Sequence, residues 1–192
     1  GPSARLGLLM IDVGANEFLT QRAIDDLPGE VSLAFLPSTP DLPRWLRLAR
    51  ERGHETYLML PVEDPHGPAE RGIKPIATSV DSAENMRRLH SAMARGEGYV
   101  GFVVRSPGPV SQSEAVARPL IKEIADRGLA VIEINPNLET AMLRGLTVEL
   151  GVGYARSTNI LDYRLSSDGV AGALDRLVTW LGEGAAGRPP RH

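Results

Sequence analysis

Charged and polar residues follow several short apolar segments of this sequence, and their types could hold a metal ion or move a proton. The set consists of Asp12, Glu63, Asp64, His66, Arg105, Glu133, Asn135 and Asp162. Carboxylates with a histidine can bind a divalent cation, and an arginine can bind an anion or pair with a carboxylate. One histidine beside carboxylates is nevertheless a weak indication of a metal. Taken singly, these residues are more simply explained as ordinary exposed polar side chains.

The elements that would position these residues alternate along the chain. Five short apolar segments, each closed by a turn former, are typical of strands buried on both faces. They are Arg5–Asp12, Val31–Leu36, Glu55–Leu60, Tyr99–Val104 and Ala130–Ile134. Helical spacing of apolar residues predicts six helices: Thr20–Leu27, Asp41–Arg52, Ser82–Arg95, Ser113–Arg127, Glu139–Leu150 and Ser167–Leu181.

Strands that alternate with helices predict parallel strands joined by crossover helices. A barrel and an open doubly wound sheet both satisfy this pattern. In either case the polar set would lie near one rim, because the carboxyl ends of parallel strands meet at the same edge. The longest predicted loop, Pro61–Ile76, lies at that edge and carries the only histidine there, His66. His54 precedes a strand at the opposite end, which favours a structural or surface role.

The composition of the 192-residue chain narrows the classes of protein. Hydrophobic residues make up 42% and charged residues 23%, as in an ordinary globular domain. The net charge of -3 gives no indication of a nucleic-acid partner. No apolar run approaches the roughly 18 residues of a membrane span. The chain contains no cysteine, which excludes disulfides and thiolate metal ligands.

We expect three parts along the chain. Residues 1–4 form an N-terminal extension, whose opening Gly1-Pro2 is typical of the scar left when a protease removes a tag. Residues 5–181 form one α/β domain, and residues 182–192, which are small, basic and proline-rich, are expected to be a disordered tail. A signal peptide or membrane anchor would then have preceded Gly1, so any membrane association would run through that missing segment.

The order of several short strings resembles one known family. The strings are Leu8–Asp12, Leu27–Pro37, Ala49–Glu55, Leu58–Glu63, Gly98–Gly101, Ile124–Leu129, Ala155-Arg156 and Leu161-Asp162. Together they resemble the divergent polysaccharide deacetylases from Arg5 to about Leu181. The resemblance implies a distorted (β/α) barrel of the carbohydrate-esterase type. Because no final strand is evident after Leu181, that barrel could be open or lack its last strand.

The resemblance also implies a chemistry. Active relatives hold a divalent metal, usually zinc, through one aspartate and two histidines. The metal polarises an N-acetyl carbonyl and activates water, while a carboxylate serves as base. Members of the family look like periplasmic or envelope proteins, often in the setting of peptidoglycan remodelling.

Carried over position by position, the implied site has lost most of its ligands. Asp12 matches the first aspartate of the family, but Val13 replaces the second. Met59 and Arg105 stand at the positions of the two ligand histidines, and Glu133 stands where the family has an aspartate after the fifth strand. The residues that remain are Asp12, Glu63, Arg156 and Asp162.

Three hypotheses follow. The favoured one is a catalytically inactive deacetylase-like domain, without a cofactor, that binds an envelope glycan or a protein of the cell-wall machinery through the polar set. The second is a metal-dependent deacetylase with the rearranged ligands Asp12, Glu63, Asp64 and His66, in which Asp12 and Glu63 would be catalytic and zinc would be bound. The third is a structural or assembly module, for which a rim filled by its own side chains would be the sign.

Overall fold

The computed structural model describes residues 6–65, 69–134, 141–164 and 174–182, with backbone only for residues 6, 158–164 and 174–182. This part of the chain contains seven strands: β1 Leu6–Val13, β2 Val31–Phe35, β3 Thr56–Met59, β4 Gly101–Arg105, β5 Ala130–Ile134, β6 Tyr154–Arg164 and β7 Leu174–Gly182. It contains five helices: α1 Glu17–Asp26, α2 Leu42–Glu51, α3 Ser82–Met93, α4 Glu114–Asp126 and α5 Met142–Leu150.

The strands curl into a barrel in the order of the sequence. Strands β1 to β6 are parallel, each paired with the next, and form a curled half-barrel. Strand β7 runs antiparallel between β6 and β1 and pairs with both. The predicted distorted barrel is therefore confirmed, with one strand fewer than the eight of a regular (β/α) barrel.

Near the carboxyl terminus, the sequence analysis predicted one helix that is a strand and did not predict another strand. The predicted helix Ser167–Leu181 is strand β7 where it is described, and β6 was not predicted as a strand. Leu174, Leu177, Val178 and Leu181 have helical spacing, but the edges of β1 and β6 carry backbone groups that need partners. Pairing with both edges outweighs the local preference for a helix.

The helices begin where the sequence offers a cap. The side chain of Asn16 accepts a hydrogen bond from the Leu19 amide at 3.0 Å, so α1 begins at Glu17 rather than at the predicted Thr20. Asp81 caps α3 by accepting from the Glu84 amide at 2.8 Å. Except for the one that is a strand, the predicted helices lie within about three residues of the observed ones.

Two sets of apolar side chains share the core, one on each face of the barrel wall. The outer set includes residues from all five helices. The inner set contains strand residues only and fills the barrel: Leu9, Ile11, Ala34, Tyr57, Met59, Val103, Ile132, Ile134 and Ala155. Successive side chains of a strand point to opposite faces, so membership of the inner or outer set shows which face each strand residue occupies.

His54 lies at the amino end of β3 and is 2% exposed. Its two ring nitrogens lie 2.7 Å from the carbonyl oxygen of Val31 and 2.9 Å from that of Ile24. The imidazole thus links β2 and α1 at the end of the barrel away from the polar set. This placement agrees with the structural role that the sequence favoured.

Candidate functional site

Asp12 reaches the rim through an irregularity in β1. Leu9 and Ile11 face the barrel interior, so strict alternation would turn Asp12 toward the helices. Instead, Asp12 adopts a φ of 58°, and the register between β1 and β2 shifts between Met10 and Val13. Val13 then packs in the outer core. This bulge redirects the Asp12 carboxylate, a common use of bulges beside functional sites.

Arg105 is the partner of that carboxylate. It ends β4 and lies two residues after Val103, which faces the interior, so the Arg105 side chain starts from the same face of the strand. Its Nη2 donates to Asp12 Oδ2 in an ion pair, and the two side chains are 34% and 33% exposed. The other carboxylate oxygen, Oδ1, is shielded from solvent and has no hydrogen-bond partner among the described residues. A guanidinium therefore neutralises the one carboxylate that the bulge brings to this place.

A cleft of about 410 Å³ opens beside Arg105. It lies between the loop after β3 and the loop after β4. Its lining consists of Val62, Glu63, Asp64, Pro65, Arg105, Ser106, Pro107, Gly108, Pro109, Gln112 and Ile134. Three proline rings, an arginine, two carboxylates and an amide thus surround a space of the size that small molecules occupy in proteins.

Both walls of this cleft are held by internal hydrogen bonds. In the first wall, Glu63 Oε1 accepts from the amide and the hydroxyl of Thr78, both at 2.8 Å. In the second wall, Ser111 Oγ accepts from the Gly108 amide at 2.8 Å and lies 3.1 Å from Ser106 Oγ. The Ser106 amide donates to the Ile134 carbonyl at 2.9 Å. The cleft is therefore preformed rather than created by a ligand.

A second cleft of about 340 Å³ lies on the other side of the segment 62–65, which lines both. Glu70 lines this second space and accepts from the amide and the hydroxyl of Ser38, at 3.2 and 2.8 Å. Asp64 is exposed and borders both clefts. The two clefts therefore have the segment 62–65 as a common wall.

Glu133 does not join Asp12 and Arg105, which corrects the expectation that it belongs to the rim. Ile132 and Ile134 face the interior, so the residue between them faces the helices. Glu133 is completely buried there, and its Oε1 accepts from the Tyr154 hydroxyl at 2.6 Å. A hydrogen bond in the outer core, rather than ligand binding, is its role in this structure.

For the other predicted site residues, the structure gives a place in the sheet at most. Arg156 lies in β6, opposite Glu133 in β5. Asp162 pairs with Arg176 through the backbone, and its side chain lies outside the described part. His66 and Asn135 lie outside the described residues altogether. The structure therefore brings together Asp12 and Arg105, and places Arg105 in one cleft with Glu63 and Asp64.

Comparison with known proteins identifies the family. A family model described as divergent polysaccharide deacetylase matches residues 8–184, which is most of the chain. The chain belongs to this family. The resemblance seen in the sequence is thereby confirmed.

The chain is also similar to a solved structure of an uncharacterized protein, ATU2773 from Agrobacterium tumefaciens C58. The two share 26% sequence identity with a TM-score of 0.71, and the match covers 78% of this chain and 61% of that chain. This chain thus spans less than two thirds of the length of that protein. No curated protein sequence matches it.

The described residues of this family member do not fit the zinc site that the resemblance implies for active relatives. Asp12 is already paired with Arg105, and Met59 fills the barrel interior at the other expected ligand position. A guanidinium has no lone pair to offer, and methionine is not among the usual protein ligands of zinc, which are cysteine, histidine, aspartate and glutamate. Among the residues that the structure describes, no three histidines and carboxylates are arranged to hold a metal ion. In the same residues, no helix is long and apolar enough to cross a membrane.

Two further groups that sequence reasoning missed are Glu55, just before β3, and Tyr57, within it, which lie two residues apart and so on the same inward face. The Tyr57 hydroxyl is buried without a partner among the described residues, and so is Glu55 Oε2. Burial raises the pKa of Glu55 to about 7. The pKa of Tyr57 is also raised, chiefly by burial and to a smaller extent by the nearby negative charge of Glu55. The only sequence signal was a glutamate two residues before a tyrosine in a predicted buried strand.

Glu55 is expected to make stability depend on pH. Since its pKa rises from 4.5 to about 7 on folding, the folded chain holds a proton that the unfolded chain releases between those values. The free energy of unfolding should therefore fall as pH rises through this window. Glu55→Gln should remove the fall and be about 1 kcal/mol more stable at pH 8, a figure discounted for partial exposure. Urea titrations at pH 5 and pH 8 measure it, and equal pH dependence of both chains would contradict it.

Proposed function

We propose that this chain is a catalytically inactive member of its family that binds a glycan of the bacterial cell envelope in the cleft beside Arg105. The Asp12–Arg105 ion pair is the observation that carries the proposal. It gives the Asp12 carboxylate a permanent positive partner where an active relative would have its metal. No deacetylation chemistry remains for Asp12 to perform while that pair is intact.

The lining of the cleft favours a carbohydrate over a purely apolar ligand. A pyranose has apolar C–H faces and a rim of hydroxyl groups. Proline rings at Pro65, Pro107 and Pro109 offer apolar contact, while Arg105 and Gln112 offer hydrogen bonds in fixed planes. Because the walls are preformed, binding would order few side chains, which favours affinity.

The competing hypotheses have less support. A structural module without a ligand would have a rim filled by its own side chains, whereas the described rim contains two adjoining clefts. A metal-dependent deacetylase with ligands Asp12, Glu63, Asp64 and His66 would need Asp12 free of Arg105 and Glu63 turned away from Thr78. A cell-wall protein as partner, in place of the glycan, would leave every glycan unbound.

The test is calorimetric titration of the chain with a tetramer of β-1,4-linked N-acetylglucosamine and with peptidoglycan fragments, in the presence of EDTA. We expect binding without release of acetate. Arg105→Gln should weaken it about tenfold or more, because it removes charged hydrogen bonds worth about 1.5–3 kcal/mol. Arg118→Gln is the matched control, since Arg118 pairs with Glu114 and Glu149 on helix surfaces away from the cleft.

Three results would contradict the proposal. Binding that disappears in EDTA and returns with zinc would favour the metal-dependent alternative. Release of acetate would show an active enzyme. No binding of any glycan, together with capture of a cell-wall protein that Arg105→Gln abolishes, would replace the glycan by a protein partner.

A further inference from the structure

A hollow of about 710 Å³ lies on the same rim, at the carboxyl ends of β1 and β2. The loop before α1 and the first turns of α1 and α2 form its walls. Phe18 and Val148 are the large hydrophobic residues that the described part of the chain exposes, at 48% and 53%, and Phe18 lines this hollow. The Phe18 ring therefore offers a flat apolar face to an occupant of the hollow.

Arg44 faces the same space and is held in place. Its guanidinium carbon lies 4.4 Å from the centre of the Trp45 ring, and its Nε donates to Asp41 Oδ2 at 2.7 Å. Trp45 is 4% exposed, so the guanidinium rather than the indole forms the surface. No other partner of Arg44 is found among the described residues, which leaves its terminal amino groups able to donate to a ligand.

The two walls of the hollow are joined directly. The Leu36 amide donates to the Val13 carbonyl at 2.9 Å, and Thr39 Oγ1 donates to the Leu36 carbonyl at 2.6 Å. A β-carbon on Gly14 would lie 2.0 Å from Thr39 Oγ1, so the two loops are in close contact. The loops that lead into α1 and α2 are therefore held against each other at the end of β1.

We infer that this hollow is a second carbohydrate subsite, in which one sugar ring stacks on Phe18, accepts hydrogen bonds from Arg44 and donates one to Gln21 Oε1. The Gln21 amide nitrogen already donates to Asp25 Oδ2 at 2.9 Å, which holds that side chain in place. The inference rests on the proposed function, because its occupant is a further unit of the glycan bound beside Arg105. The charged side chains of the lining are Glu17 and Arg44, so the hollow fits a neutral sugar. Phe18 follows Asp12 by six residues, so even a fully extended chain would keep their Cα atoms within about 22 Å of each other. A short oligosaccharide covers that span.

The experiment compares two probe lengths, the dimer and the hexamer of β-1,4-linked N-acetylglucosamine, by calorimetric titration. Phe18→Ala should weaken hexamer binding about five- to tenfold and leave dimer binding unchanged. Arg44→Gln should act in the same direction. Val148→Ala is the control, since it removes an equally exposed hydrophobic residue from α5 and should alter neither affinity.

The outcomes separate the two proposals. If the unaltered chain binds the dimer and the hexamer but Phe18→Ala changes neither, the subsite is wrong and the cleft proposal stands. If Phe18→Ala instead abolishes self-association of the chain without changing glycan affinity, the hollow is an interface between two copies. If the unaltered chain binds neither probe while Arg105→Gln also has no effect on any glycan, the proposed function fails and the subsite fails with it.

Discussion

The double substitution Met59→His and Arg105→His is expected to make the chain bind zinc at least about 100-fold more tightly than the unaltered chain. Removing Arg105 frees the Asp12 carboxylate from its ion pair. Met59 and Ile11, the neighbour of Asp12, lie in the same interior cluster, and Arg105 contacts Asp12 directly. One carboxylate and two imidazoles would then supply the three protein ligands typical of an open zinc site. Competition with a fluorescent zinc indicator measures the affinities.

The single substitution Arg105→His is the control for that experiment. It frees Asp12 but supplies only one imidazole, so its gain in zinc affinity should be much smaller than that of the double variant. Zinc should also raise the thermal midpoint of the double variant but not that of the unaltered chain, because a ligand stabilises the state that binds it. Equal zinc affinity for the double variant and the unaltered chain would show that positions 59 and 105 do not face Asp12.

Gly14→Ala is expected to lower the free energy of unfolding by about 3 kcal/mol or more. Gly14 has a φ of 115°, which strains a residue with a β-carbon. The new methyl group would also lie 2.0 Å from Thr39 Oγ1, so the loops after β1 and β2 would have to separate. Backbone strain and overpacking each cost about 1–3 kcal/mol. Urea denaturation gives the difference directly.

Gly151→Ala isolates one of these two causes. Gly151 has a φ of 72°, but a β-carbon there would meet nothing within 4 Å. This variant should therefore lose only about 1 kcal/mol, the cost of a left-handed residue. If both variants lose the same amount, contact between the two loops does not contribute, and the rim is less rigid than the structure indicates.

The parallel part of the fold could be predicted from the sequence because its strands are continuous apolar runs that end in turn formers. The observed β2, β3 and β5 lie within the predicted segments Val31–Leu36, Glu55–Leu60 and Ala130–Ile134, and β4 extends one residue beyond Tyr99–Val104. The last two strands could not be predicted in this way. The spacing of apolar residues in β7 is helical, and only the unpaired edges of β1 and β6 determine that it is a strand.

In the site, too, features that follow from local sequence could be predicted, whereas features that depend on pairing with a distant strand could not. The sequence located Asp12, Glu63 and Arg105 at strand ends, and the family resemblance marked Arg105 as a replaced ligand. It did not show that a bulge turns Asp12 toward Arg105, because φ and register follow from pairing with β2. Glu133 lies between Ile132 and Ile134, which face the barrel interior, so strict alternation applied to β5 would have placed it correctly on the opposite face.

Calorimetric titration of the unaltered chain with zinc at neutral pH determines whether the guanidinium of Arg105 has taken the place of a dication beside Asp12. We expect no stoichiometric zinc binding in the micromolar range or tighter. The same result is expected for Asp12→Asn, which keeps a residue tolerant of the left-handed backbone there. One zinc ion bound per chain at micromolar affinity or better, and lost in Asp12→Asn, would contradict it.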